Sequence, residues 1–190
     1  LCALALFLTG IYIRTRSKKT LYAAATLLAL FQAAGIYQEV QKGSIYRWVI
    51  PNQVAHTMIW LQQGTKLTVF RSDSLSGDFA IADAQRLWNT DTISYKPLYR
   101  TYNIYGLNLR VLKKDGLYSP GEPHPHYILL SGSPRIHLGR MLEALKPKVV
   151  IADASNYPSD LKRWERSCKQ TGTSFYATAK QGAYEFKPPP

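Results

Sequence analysis

Two hydrophobic runs near the N-terminus place the strongest constraint on how this chain folds. Residues 1–13 carry no charge, and residues 21–37 contain one strongly polar side chain, Gln32. A helix that spans a bilayer needs roughly 20 apolar residues, with a range of about 17–25. The second run reaches the lower end of that range, and the chain begins inside the first. We therefore predict a transmembrane hairpin over residues 1–40, formed by the last spans of a longer polypeptide.

Two other structures are compatible with such runs. A signal peptide carries its basic residues before the apolar stretch, whereas here they follow it. A buried helical hairpin of a soluble protein would have a polar face, and neither run shows one. The membrane hairpin is therefore the preferred interpretation.

The segment between the two runs is basic. It contains Arg14, Arg16, Lys18 and Lys19 within seven residues, 14–20. Short loops rich in lysine and arginine remain on the cytoplasmic side of a membrane. A further crossing then places everything after Tyr37 outside the cytoplasm, which predicts a multi-pass protein of the plasma (inner) membrane with a periplasmic C-terminal domain.

The whole chain is basic as well. Its 190 residues include 24 Lys and Arg against 12 Asp and Glu, a formal net charge of +12. Such an excess is compatible with polyanions such as nucleic acid or lipid headgroups. The basic residues after the hairpin are scattered rather than packed into runs, so an ordinary solvated surface remains the favoured explanation of their number. The two cysteines, Cys2 and Cys168, are too few for a disulfide framework or a thiolate metal cluster.

From residue 45 the pattern changes to short strands. Three of them predict an antiparallel meander, at residues 45–50, 56–62 and 66–72, and the loop between the last two contains Gly64. A short helix is predicted over residues 78–88. Residues 89–107 are rich in Tyr, Asn, Asp and Thr and predict an irregular region. A strand over 107–113 and a loop over 114–126 follow.

The last sixty or so residues alternate between strands and helices. The predicted elements are a strand at 127–132, a helix opened by Ser133-Pro134 and stopped by Lys146-Pro147, a strand at 148–153, a helix at 158–171, and two closing strands at 174–178 and 183–186. This β-α-β-α-β-β order predicts an α/β domain over residues 44–187, whose mixed sheet is parallel in part.

Two loops at the ends of buried strands form the candidate binding site. Ligands of open α/β sheets lie at the carboxyl ends of strands, and helix N-termini favour anions. The candidates for binding a phosphate or another polar group are Ser131, Ser133, Asp153 and Asn156. The same residue types are common helix caps and turn formers, and that structural interpretation is the favoured one.

The histidines do not predict a metal centre. Only His124 and His126 share a recognisable spacing, and no acidic residue or third histidine follows them closely. No Ser/His/Asp constellation can be assembled either, and a lone serine in a turn needs a nearby base to act as a nucleophile. We therefore expect no catalytic residue, no metal ligand and no cofactor.

A family resemblance joins these observations. Residues 129–186 begin LLSGSPRIHLGRMLEALKPKVVIADASNYPSDL, and this stretch resembles the C-terminal end of ComEC-type competence proteins in the version found in Bacteroidetes. The hydrophobic hairpin is similar to the end of that family's channel segment, and the resemblance is weak over residues 72–122. It implies a multi-pass protein proposed to carry single-stranded DNA across the inner membrane during natural transformation, with a metallo-β-lactamase-like C-terminal domain.

The departures from the family pattern concern its metal ligands. No His-x-His-x-Asp-His cluster follows the early strands, and Ser131-Gly132-Ser133-Pro134 stands at a position similar to His-His-Gly-Ser. Asn156-Tyr157-Pro158 similarly replaces Gly-His-Pro, while residues 178–182 resemble the closing turn of the fold. The resemblance therefore implies an inherited fold without hydrolase chemistry, and the chain is not expected to be an enzyme.

Three functions remain open. The leading hypothesis is a non-catalytic, extracytoplasmic domain of a DNA-uptake channel that stabilises the channel or guides the strand. Its implied partners are single-stranded DNA, the lipid bilayer, the remainder of the channel protein and other competence proteins, and oligomers are possible. The alternatives are an active metal-dependent nuclease of the same system and a membrane-anchored binding module unrelated to competence.

Overall fold

A computed structural model describes residues 18–43, 45–54, 56–72, 79–118 and 124–188. The first predicted span, residues 1–13, lies outside the described residues. The chain divides into two compact units, Leu1–Ile45 and Tyr46–Pro190.

The described part of the first unit is one helix, α1 (Lys18–Gly43). Leu30 and Ile36 are among its exposed apolar side chains. Among the residues described, no helix combines the length and the apolar character that crossing a membrane requires. The structure therefore does not support the predicted membrane span over residues 21–37, which stays a prediction from the sequence.

The described part of the second unit contains two mixed five-stranded sheets, so the predicted α/β class is confirmed, with two sheets where the sequence predicts one mixed sheet. The first sheet, sheet A, has the order β10-β1-β2-β3-β4. Its strands are β1 (Tyr46–Ile50), β2 (Met58–Gln63), β3 (Lys66–Arg71), β4 (Thr92–Pro97) and β10 (Tyr184–Phe186). The predicted meander β1-β2-β3 is confirmed as antiparallel. Helix α2 (Phe79–Leu87) then connects β3 to β4, which pair in parallel.

The second sheet, sheet B, has the order β5-β6-β7-β8-β9. Its strands are β5 (Thr101–Ile104), β6 (Leu107–Leu112), β7 (Tyr127–Leu130), β8 (Val149–Ala152) and β9 (Ser174–Ala177). The pair β5-β6 is antiparallel, and β6, β7, β8 and β9 run in parallel. The crossovers carry α3 (Leu138–Leu145) and α4 (Pro158–Thr171), and a short helix α5 (Thr178–Gln181) precedes β10.

The two sheets pack face to face with helices outside them. The core between the sheets joins Trp48 and Phe70 of sheet A to Leu129 and Ile151 of sheet B. Because successive side chains of a strand point to opposite faces, Leu130 turns outward instead, into a second core formed with α3 and α4. Burial on both faces explains why β7 and β8 are continuous apolar runs. Helix α2 covers the outer face of sheet A through a third cluster that includes Ile81.

Two sequence predictions are wrong. Residues 89–107 are not irregular, since they contain β4 and β5. Tyr and Thr favour a pleated, half-buried strand. The two strands are recognised only from their pairing, β4 with β3 and β5 with β6. The turn from β5 to β6 is made by Tyr105 and Gly106, both with positive φ (51° and 80°), as a two-residue hairpin loop demands.

The second error concerns the start of α3. The helix was predicted to open at Ser133-Pro134, but it begins at Leu138 with His137 as its N-cap. Ser133 has a φ of 53°, in the left-handed region, so it is not in the extended conformation usual for an N-cap. The stop at Lys146-Pro147 is confirmed, and α4 has the predicted bounds, with Gly172 in the left-handed conformation at its C-cap.

Candidate functional site

The parallel register of β7 and β8 brings the two predicted loops together. Leu130 is opposite Ala152, so Ser131 and Asp153 leave the sheet at the same edge. All four predicted residues, Ser131, Ser133, Asp153 and Asn156, are buried there. The structure thus assembles the predicted set in one polar cluster, which we call the loop clamp.

Asn156 is the centre of the loop clamp. Its side-chain Nδ2 donates to the carbonyl oxygen of Leu130 at the end of β7 (2.7 Å). The same Nδ2 also donates to the carbonyl oxygen of Asp153, in the loop that contains Asn156 (2.9 Å). Its Oδ1 accepts a hydrogen bond from the backbone N–H of Ser133 at 2.8 Å. One amide therefore satisfies backbone groups of both loops, which buried polar groups require.

Ser133 connects the loops in the opposite direction. Its hydroxyl oxygen accepts a hydrogen bond from the backbone N–H of Tyr157 at 2.8 Å. A left-handed backbone costs an L-residue roughly 1–2 kcal/mol, and the bonds that Ser133 makes to Asn156 and Tyr157 hold it in that conformation. Because Tyr157 is the N-cap of α4, Ser133 also fixes where that helix starts.

Asp153 is the one acidic group of the clamp and is 1% exposed. Its Oδ1 accepts hydrogen bonds from the backbone N–H of Ser155 (3.1 Å), the Ser155 hydroxyl and Asn156 Nδ2 (2.9 Å). Its Oδ2 has no hydrogen-bond partner among the described residues. Burial raises the pKa of the Asp153 carboxyl above its ordinary value, against the opposing effect of hydrogen bonds from Ser155 and Thr57.

Two members of the clamp were not among the predicted candidates. Thr57 Oγ1 lies 2.5 Å from Ser131 Oγ and 3.3 Å from Ser155 Oγ, and the Ser155 hydroxyl oxygen also accepts from the N–H of Gly132 at 2.9 Å. Ser155 lies inside a predicted loop, and its spacing from Asp153 is the available sequence signal. Thr57 precedes β2 of sheet A and carries no such signal, because 74 positions separate it from Ser131.

The hydrogen bonds of the clamp bear directly on what it can bind. An anion site would need free backbone N–H groups, but those of Gly132, Ser133, Ser155 and Tyr157 all donate to side chains of the clamp. The first turn of α4 also holds Asp160, whose negative charge opposes an anion at that helix end. The geometry therefore favours caps and turns, and ligand binding by the predicted candidates Ser131, Ser133, Asp153 and Asn156 stays a prediction.

Backbone groups are the contacts of three histidine rings. His124 Nδ1 lies 3.2 Å from the Leu145 carbonyl oxygen, His126 Nδ1 accepts from Asn108 N–H at 3.3 Å, and His137 Nδ1 accepts from Arg140 N–H at 3.3 Å. Within the described ranges, no three His, Cys, Asp or Glu side chains are grouped so as to hold a metal ion.

These features define a class of protein: an α/β domain of two packed sheets whose strand-end loops are closed by side-chain hydrogen bonds. Residues 48–188 match the family model of the ComEC C-terminal domain. That range covers most of the 190 residues, so the chain belongs to the ComEC C-terminal domain family, and the predicted resemblance is confirmed. No curated protein and no solved structure matches the chain. Family membership supports an involvement in DNA uptake during competence.

Proposed function

We propose that this chain is a non-catalytic part of a membrane-associated DNA-uptake channel, whose domain stabilises the channel or guides the strand. The observation that carries the proposal is the loop clamp. Ser131 to Pro134 and Asn156 to Pro158 stand where the resemblance would place metal-binding histidines. In their place Ser133 and Asn156 bond across the two loops. A metal site needs several lone pairs directed at one open point, whereas these groups are directed at one another.

The arrangement of the layers supports the same origin. Two mixed sheets pack face to face with α3 and α4 on one side and α2 on the other. We take this as the metallo-β-lactamase-like fold that the resemblance implies, retained as a scaffold after its chemistry was lost. Retention without catalysis requires the strand-end loops to be held by other means, and the clamp provides them.

Nuclease activity is the direct test of this proposal. The purified 190-residue chain is incubated with end-labelled single-stranded DNA and Mn²⁺ or Zn²⁺, and its metal content is measured in parallel. We expect intact DNA and substoichiometric metal. The chain with Asp153→Asn serves as the matched control, because it removes the one acid of the clamp with little change of shape.

Chelator-sensitive cleavage that the Asp153→Asn chain has lost would overturn the proposal and support the nuclease alternative. Cleavage of equal rate in both chains would also overturn it, and would place the activity elsewhere in the molecule. An uncleaved substrate in every sample, with a folded chain, supports a non-catalytic role.

We further propose that the domain lies on the extracytoplasmic side of the plasma membrane. The support is in the sequence: four basic residues, Arg14, Arg16, Lys18 and Lys19, stand between two hydrophobic runs. Its partners would be single-stranded DNA, the lipid bilayer, the remainder of the channel, other competence proteins and further copies of the chain in an oligomer. None of these contacts requires catalysis.

Thiol labelling in oriented vesicles tests this location. Cys168 cannot report it, because the side chain is buried and burial raises its pKa to about 12. Gln170 is exposed on α4, so Gln170→Cys in a chain with Cys2→Ser supplies an accessible thiol. We expect labelling by an impermeant reagent from the extracytoplasmic face; labelling from the cytoplasmic face alone would contradict the proposed location.

A further inference from the structure

The solvent face of α4 carries a line of positive charge. Lys162, Arg166 and Lys169 are exposed, and their spacing of four and three residues places them on one side of the helix. They span about 10 Å along its axis. The Arg166 Nε lies 3.4 Å from the Lys162 carbonyl oxygen and donates to it, which keeps that side chain along the helix.

The acids of α4 do not neutralise this line. Asp160 pairs with Arg163 (2.8 Å), and Glu165 pairs with Lys180 (2.6 Å). In the described part of the chain, Lys162, Arg166 and Lys169 have no ion pair of their own. Three cations are therefore free to meet an external anion, while the neighbouring acids are already matched.

The opposite face of α4 holds the helix firmly. Leu161, Trp164 and Cys168 are buried in the core that α3 and α4 form against sheet B. A helix fixed in this way presents its outward charges at constant spacing. Binding to these fixed cations therefore costs less conformational entropy than binding to the same cations on a flexible loop.

An exposed aromatic ring stands at the N-terminal end of the same helix. Tyr157 is 68% exposed, although its backbone N–H is fixed by Ser133 Oγ at 2.8 Å. Large aromatic side chains usually bury most of their surface. The helix therefore carries both elements of single-strand recognition, a π-face for a base at its N-terminal end and positive charge for the phosphates on its solvent side.

We infer that Lys162, Arg166 and Lys169, here called the α4 stripe, bind single-stranded nucleic acid together with Tyr157. The cations contact successive phosphates along one side of the helix, and Tyr157 stacks on one base where the strand passes round its N-terminal end. This inference rests on the proposed function, and it specifies which surface of the domain would guide the strand.

An anionic membrane surface is the competing occupant, and the side chains favour nucleic acid. A helix that lies in a membrane interface inserts an apolar face containing Leu, Phe or Trp beside its cations. The apolar residues of α4, Leu161 and Trp164, are buried inside the domain instead. The exposed side chains of α4 are polar or charged, apart from Pro158 and the ring of the N-cap residue Tyr157.

Salt dependence of binding tests the cations. Fluorescence anisotropy of a labelled oligothymidylate of about 12 nucleotides, a length within the usual site size, gives the dissociation constant of the full chain at several salt concentrations. Each single-strand phosphate contact contributes about 0.7 to the slope of log K against log salt. We expect the Lys162→Gln/Arg166→Gln/Lys169→Gln chain to lose about 2 from that slope.

A second triple variant controls for net charge. Lys66, Arg86 and Lys96 are exposed on β3, α2 and β4, on the sheet A side of the domain. Their replacement by Gln also removes two lysines and one arginine, so the net charge changes by the same amount as in the stripe variant. We expect this variant to keep the slope of the unmodified chain; equal losses in the two triple variants would show non-specific attraction and overturn the α4 stripe.

Replacement of Tyr157 tests stacking separately. A stacked base is worth about 1–3 kcal/mol, so Tyr157→Ala is expected to weaken binding between about 5- and 150-fold without a change of salt slope. Tyr157→Phe keeps the ring and is expected to retain affinity. Unchanged affinity of Tyr157→Ala would overturn the role of this residue.

The outcomes separate this inference from the proposed function. Salt-dependent binding that is insensitive to the stripe variants overturns the stripe and leaves guidance by another surface. Absence of single-strand binding overturns both the stripe and guidance, while the non-catalytic channel role still depends on the nuclease assay. If the triple stripe variant loses binding to phosphatidylserine vesicles but keeps its binding to DNA, the stripe belongs to a membrane contact and the inference is overturned.

Discussion

Asp153 shows how a residue with ordinary loop chemistry acquires an unusual environment. In sequence it is an aspartate that follows an apolar strand, typical of a turn. In the fold its carboxyl is enclosed by Thr57, Ser155 and Asn156, and burial raises its pKa. The raised pKa means that the folded state binds this proton more tightly than the unfolded state does.

The stability of the domain should therefore depend on pH through Asp153. With the folded pKa above the unfolded value, this group contributes most below the ordinary Asp pKa of 3.8, and its contribution is lost as the pH rises through the folded pKa. Asp153→Asn cannot ionise, so we expect its free energy of unfolding to improve relative to the unmodified chain as the pH rises. Urea denaturation at a series of pH values from about 4 to 8 measures this difference.

Asp115 provides a control of opposite sign. Its pKa is lowered chiefly by a hydrogen bond from the Arg100 guanidinium, so its contribution is present above the unfolded pKa and is lost as the pH falls through the folded pKa. Asp115→Asn should then approach the stability of the unmodified chain as the pH falls. Parallel pH curves for Asp153→Asn and the unmodified chain would contradict the enclosure of Asp153.

Helix α3 illustrates what decides the ends of an element. Its buried face, with Leu138, Met141, Leu142 and Leu145, follows the helical spacing predicted from the sequence. Its start does not follow from local signals, because Ser133 is occupied by bonds to the neighbouring loop. Its end is local: Lys146 adopts a left-handed conformation directly before Pro147, and its N–H bonds the Leu142 carbonyl oxygen at 2.9 Å.

Lys146→Gly should stabilise the end of α3. The left-handed region costs a non-glycine residue about 1–2 kcal/mol, and part of that gain is offset by the greater entropy of glycine in the unfolded chain. We expect a net increase of about 0.5–1 kcal/mol in the free energy of unfolding, measured by urea denaturation. Lys148 is also exposed and has no positive φ, so Lys148→Gly should be neutral or destabilising; a gain of the same size there would contradict the interpretation.

At the scale of the whole second unit, the fold depends on two cores that share one sheet. Leu129 of β7 lies in the core between the sheets, and its neighbours Ile128 and Leu130 lie in the core beneath α3 and α4. The clamp adds a polar connection between the sheets at one edge, through Thr57 and Ser131. Loss of volume at Leu129 therefore affects the packing of both sheets.

Leu129→Ala should be strongly destabilising. Leucine-to-alanine substitutions in a closed core cost about 2–5 kcal/mol, because the lost transfer free energy and the cavity add together. Leu87→Ala removes the same atoms from a side chain that is 82% exposed, and we expect a change below about 0.5 kcal/mol. Equal denaturation midpoints for the two variants would show that the sheets do not share a packed core at Leu129.

Several elements could be predicted from the sequence because their signals are local. The strands β7 and β8 are short apolar runs buried on both faces, and α4 lies between Pro158 and Gly172, residues that begin and end helices for stereochemical reasons. The loops that hold Ser131, Ser133, Asp153 and Asn156 were predicted at the carboxyl ends of buried strands, where ligands of α/β sheets bind.

The remaining features depend on contacts between residues distant in sequence. The strands β4 and β5 are recognisable through their partners, and no local pattern pairs Thr57 with Ser131 or encloses Asp153. The sequence by itself thus determined the α/β class, the helix α4 and the identity of the candidate loops, because hydrophobic periodicity and the stereochemistry of proline and glycine act within a few residues. Only the tertiary structure decided that those loops close on each other as a clamp and that the cations of α4 face outward, because hydrogen bonding and burial depend on which segments the fold brings together.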